Sequence, residues 1–172
     1  WVQQLNTPEA LTEAANLTLA SPPVSDNRME ILIKMMYPVA DKIPLDLVHR
    51  WVISPKPAMR ITAIKLLAHR TDEASVQLLR EVVRSSMPST RRAAIEAMGL
   101  REHDAFAKDL IAIMRGKLKP LRWRDWFRTG SYDVRNDDKH NATLALIKYS
   151  DAAFEKAVLT LGDAVPYASF DF

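Results

Sequence analysis

Apolar positions recur along the chain at a stride of 31 residues. Val2, Ile33, Ile64 and Ile95 fall in one column, Leu5, Met36, Leu67 and Met98 in a second, and Leu17, Val48, Leu79 and Leu110 in a third. Laying residues 54–85 over 85–116 leaves nine of 32 positions identical, among them Pro57/Pro88, Arg60/Arg91, Ala63/Ala94, Ile64/Ile95 and Arg70/Arg101. A fixed period of this length marks stacked supersecondary units, each too small to bury its own apolar stripe.

Within a unit the spacing predicts two helices. Pro57 and Pro88 open the first, because proline at the first helical turn loses no hydrogen bond and already has a helical φ. Ala63, Ile64 and Leu67 then share one face. The first helix is expected to end near His69, and in the next unit at Gly99, with the glycine supplying a left-handed cap. Thr71, Asp72 and Glu73 suit the N-terminus of the second helix. Leu78, Leu79, Val82 and Val83 form its apolar stripe, and Gly116 follows the corresponding helix of the next unit.

The runs Pro57-x-x-Arg60-x-x-Ala63-Ile64-x-x-Leu67 and Pro88-x-x-Arg91-x-x-Ala94-Ile95-x-x-Met98 resemble the HEAT family. They are most similar to the short HEAT-like repeats of phycobilisome-lyase-type proteins. The resemblance implies an all-α, right-handed α-solenoid of helical hairpins, about 31 residues per repeat. Such folds carry many unrelated roles, so no chemistry follows from the likeness. The family places an Asp ahead of the Arg to form a ladder between repeats. Here Met59 and Thr90 hold that position, so the ladder's acid is absent from both repeats. Arg60 and Arg91 are nevertheless expected to brace neighbouring repeats.

One solenoid domain over 1–172 is expected: a partial or capping repeat at 1–23, repeats at 24–53, 54–85 and 86–116, an insertion at 117–139, and a divergent repeat at 140–172. Trp1–Leu5 aligns with the end of a first helix, so the chain is expected to start inside a repeat, as part of a larger protein. After the insertion, helical patterning resumes near His140. Leu144 and Ile147 are then expected in the Ile95 and Met98 columns, 17 or 18 residues late. A second helix is expected over Asp151–Leu161.

Charge sharpens interest in the insertion. Residues 1–49 carry three basic and six acidic groups, residues 50–128 seventeen and eight, and residues 129–172 four and seven. The basic middle attracts anionic surfaces. Its densest stretch, 115–128, has six basic residues and one acid, interleaved with Trp123, Trp126 and Phe127. Two readings stay open. The aromatics fold back to plug the gap left by the insertion, or Lys117, Lys119, Arg122, Trp123, Arg124, Trp126, Phe127 and Arg128 bind a partner. A second candidate surface is the row Lys34, Lys65 and Glu96, one residue per repeat, with Thr62, His69, Arg92 and Leu100 near it. Lys34, Lys65 and Arg92 are its expected partner-binding residues.

The remaining chemistry excludes more than it suggests. Absence of cysteine removes disulfides, thiol catalysis and thiolate metal sites. Four glycines argue against phosphate-binding loops, and no Gly-x-Ser-x-Gly elbow occurs. His49, His69, His103 and His140 form no helix-face metal pair. Asp137-Asp138 reads as a helix-start signal. No run is long enough to span a membrane, and neither metal nor cofactor is expected. The expected function is a non-catalytic, bacterial scaffold or adaptor domain that binds a protein with an acidic surface. The alternative is nucleic-acid binding through the basic middle, including DNA-glycosylase-like chemistry from Trp123, Asp125 and Trp126 with Arg122 and Arg124.

Overall fold

A computed structural model of the protein describes residues 7, 9–13, 26–85, 87–118 and 136–162. Among these residues there is no strand. Eight helices, α1 (Asp26–Met35), α2 (Leu45–Val52), α3 (Pro57–Ala68), α4 (Glu73–Val82), α5 (Pro88–Met98), α6 (Asp104–Met114), α7 (Asn136–Ile147) and α8 (Asp151–Gly162), form successive hairpins, with a 3-10 segment at Tyr37–Lys42. A helical turn at residues 9–13 precedes them, with Thr7 Oγ1 accepting from the Ala10 amide.

The odd-numbered helices form one layer, in which α3 packs on α1 and α5, and α5 packs on α7. Each also packs on the second helix of its own hairpin, and the even-numbered helices make a second layer. The architecture is an all-α solenoid. The 31-residue columns meet in one core: Ile33, Ile64, Ile95, Met36, Leu67, Met98, Val48, Leu79 and Leu110 are all essentially without solvent contact. The columns at Val2, Leu5 and Leu17 lie outside the described residues.

Local chemistry sets the helix ends. Pro57 and Pro88 sit at the starts of α3 and α5 as the spacing predicts. Asp72 caps α4, its Oδ1 accepting from the Ser75 amide at 2.8 Å. Gly116 adopts φ +65°, the left-handed conformation expected after a helix. Gly99 differs from expectation: its φ is −75°, within the ordinary helical region. Its lack of a side chain serves packing instead, because a Cβ there would lie 2.8 Å from the Ala145 Cα of α7.

The repeat resumes with a different phase from the expected one. α7 starts at Asn136, one turn before His140. Leu144 and Ile147 are 46% and 61% exposed, so they do not occupy the Ile95 and Met98 columns. Ala142, Ala145 and Leu146 are the buried apolar residues of this helix, matching Ala94, Ala97 and Met98 with an offset of 48. The insertion therefore adds 17 residues to the first-helix stride. An error of one residue turns every assignment by about 100° around the helix, which exchanges buried and exposed positions.

Candidate interaction surface

Side chains recurring at the repeat stride build three polar braces between hairpins. In the first, Arg60 donates from Nε to Thr90 Oγ1 at 3.0 Å and from Nη1 to the Ser54 carbonyl at 2.7 Å. Burial lowers its pKa from the ordinary value. Arg91 repeats the arrangement: Nη1 reaches the Ser85 carbonyl, while Nε and Nη2 donate to Asp138 Oδ2 at 3.2 and 3.1 Å. Thr90 and Asp138 are equivalent positions in successive first helices. The ladder's acid, missing ahead of Arg60 and Arg91, is thus present beyond the insertion.

The second brace lies at the turns inside the hairpins. Arg70 donates to Asp72 Oδ2, Ser75 Oγ and the Ala40 carbonyl of the preceding repeat. Arg101, at the same column, reaches the carbonyls of Arg70 and Thr71. Asp41 accepts from the Thr71 amide and hydroxyl, and Glu102 from the Ser150 amide and hydroxyl. Burial disfavours the Asp72 carboxylate, but hydrogen bonds from Ser75 and the nearby Arg70 outweigh it and hold its pKa below the usual value.

On the second-helix layer, buried Asp109 accepts from Arg80 at 2.6 Å and Arg84 at 2.8 Å. The hydrogen bond to Asp109 raises the Arg80 pKa against the effect of burial. Buried Tyr149 donates to the Met98 carbonyl at 3.0 Å, and burial pushes its phenol well above the ordinary value.

These braces occupy the inner guanidinium groups and leave a cationic row on the first helices. Lys34 and Arg92 are exposed and Lys65 is half-buried. Lys65 Nζ lies 3.4 Å from Glu96, which also accepts from Arg92 at 3.2 Å, so the row is continuous from α3 to α5. His69 lies on the exposed side beside it, with its ring stacked on Tyr37 at a centroid distance of 4.2 Å. Partial burial lowers its pKa. Thr62 does not belong to the surface: it is buried, and its hydroxyl donates to the Ala58 carbonyl within its own helix. Lys117 is exposed in the turn after α6, on the second-helix side rather than in the row.

The insertion leaves the solenoid through that turn. Gly116 and Lys117 donate to the carbonyls of Ile113 and Ala112, and Leu118 is buried. The Lys139 side chain lies beside Gly116, so the two ends of the insertion are brought together. Lys119, Arg122, Trp123, Arg124, Trp126, Phe127 and Arg128 lie outside the described residues.

Residues 46–123 match the family of HEAT repeats. That stretch is built of HEAT repeats. No curated protein and no solved structure matches the chain. The HEAT ladder here uses a hydroxyl at one step and a carboxylate at the next. Sequence reasoning missed Asp138 and Asp109 as brace residues. The first becomes visible only after 17 inserted residues are removed from the count, while the second has no equivalent acid in the neighbouring repeats. The Arg70/Arg101 identity was a visible signal for the second brace. Among the described residues no cluster of His, Cys, Asp or Glu is arranged to hold a metal ion. No described helix is long and apolar enough to cross a membrane.

Proposed function

We propose that the chain is a non-catalytic HEAT adaptor that binds a protein partner with an acidic surface. The observation that carries this reading is the division of labour among its basic side chains. Arg60, Arg70, Arg84, Arg91 and Arg101 brace the repeats, whereas Lys34, Lys65 and Arg92 form an outward row at the repeat stride. A row of cations on a rigid frame steers an anionic partner and fixes its register. The reading extends to the insertion. Lys117, Lys119, Arg122, Arg124 and Arg128 supply charge, and Trp123, Trp126 and Phe127 are of the residue types that dominate protein hot spots.

Affinity enrichment with the intact protein and with an Arg122/Trp123/Arg124/Trp126→Ala variant tests this reading. A partner recovered by the intact protein and lost by the folded variant is the expected result. Equal recovery by both discards the insertion as a binding element. Generic duplex DNA titrated at low and moderate salt tests the whole reading: tight binding that weakens steeply with salt replaces the protein partner with nucleic acid.

A further inference from the structure

The outward row changes character at its last step. The column that carries Lys34, Lys65 and Glu96 is occupied in α7 by Leu144, which remains 46% exposed. Ile147, one turn further along the same face, is 61% exposed, although Ala68 and Gly99 at its column are small and buried. Leu100, at the end of α5, is 54% exposed. The close approach of Gly99 to Ala145 places Leu100 next to this face of α7. Solenoid packing requires none of the three, because the core of α7 is made by Ala142, Ala145 and Leu146. A contiguous exposed apolar patch on a charged surface marks a binding site.

The surrounding charges specify what it binds. Arg92 and Lys148 are exposed on α5 and just after α7, with His140 exposed one turn before Leu144. Glu96 is held between Lys65 and Arg92, and Glu102 is bonded to Ser150. Exposed Asp137 lies on the same face, two turns from Leu144. Resting on the adaptor reading, we propose that Leu100, Leu144 and Ile147, flanked by Arg92 and Lys148, receive an acidic amphipathic helix of the partner. Leu144 and Ile147 are one helical turn apart and Leu100 stands on the neighbouring helix. The apolar stripe of a helix, with anchors at i, i+3 or i+4 and i+7, matches that spacing. Carboxylates beside the stripe meet Arg92 and Lys148.

The probe is a labelled 18-residue helical peptide with leucine at those stripe positions and glutamate elsewhere. Its controls carry lysine for glutamate, or serine for leucine. Binding is read by fluorescence anisotropy and by methyl chemical shifts of the protein. The acidic apolar peptide is expected to bind, to shift the Leu100, Leu144 and Ile147 methyl resonances, and to weaken with salt. Ile147→Asp and Leu100→Asp, at exposed positions, should each weaken it by about tenfold or more, the usual effect of losing a central anchor. The inference is overturned if the peptide fails to bind, if the lysine control binds equally, or if both Asp variants bind unchanged. Loss only in the Arg122/Trp123/Arg124/Trp126→Ala variant also overturns it while leaving the adaptor reading intact, since that variant keeps the patch.

Discussion

Replacing Asp138 by Ala removes the carboxylate that closes the HEAT ladder across the insertion. Asp138 is 4% exposed and Arg91 3%, so the pair sits out of reach of bulk water. The substitution leaves a buried guanidinium with its Ser85 contact but without the acceptor of its Nε and Nη2 bonds. Stranding one partner of a buried ion pair costs about 3–5 kcal/mol. Against a total stability of about 5–15 kcal/mol, that is a large fraction, and for a chain of this size it lowers Tm by roughly 6–20 °C. Urea unfolding followed by far-ultraviolet circular dichroism gives the number directly. The Arg91→Met/Asp138→Leu double variant is the control. It removes both charges and should recover most of the loss, because apolar replacements of a buried pair are commonly neutral or better. A cost under about 1 kcal/mol for Asp138→Ala, or a double variant no more stable than the single, would refute the claim that this pair closes the ladder.

Two further outcomes follow from the packing. Gly99→Ala places a methyl 2.8–3.0 Å from three atoms of Ala145, two of them backbone, so α5 and α7 must separate; a loss of about 1–3 kcal/mol is expected in the same unfolding assay, and an unchanged midpoint would show that the contact relaxes freely. His69 has its pKa lowered by partial burial, so the unfolded chain takes up the proton first. Stability is full above the ordinary histidine value of about 6.5 and falls as pH drops through it toward the lower folded value. His69→Gln should flatten that decline between pH 7.5 and 5.5, and an identical decline in the variant would assign it to other groups.

The periodic part of the fold was legible because it depends on residue type alone. Ile33, Ile64 and Ile95 face one core for the same reason they share a column: identical helices stack at identical intervals. What was not legible depends on neighbours distant in sequence. Gly99 looks like a cap in sequence, and only the position of Ala145 shows that it permits close helix packing. Leu144 and Ile147 look like core residues, and a 17-residue shift in phase turns them outward. The row Lys34, Lys65 and Arg92 was legible from the stride, whereas Thr62, only three residues before Lys65, is buried.

The braces also explain how a solenoid accommodates an insertion without losing its register. Inter-repeat contacts made by second-helix turns would shift if the chain between them were lengthened freely. Here the lengthening occurs between α6 and α7, while the contacts that set register are made elsewhere: Arg91 to Asp138 at the start of α7, and Glu102 to Ser150 after its end. The first helix of the last repeat is therefore held at both ends by the preceding repeat. Gly99 against Ala145 fixes it along its length. With α7 anchored at three points, the insertion carries no load in the stack, and its sequence is free of the 31-residue pattern. The same anchoring holds the exposed side of α7 in line with the outward row, which lets Leu144 extend a surface begun by Lys34 and Lys65.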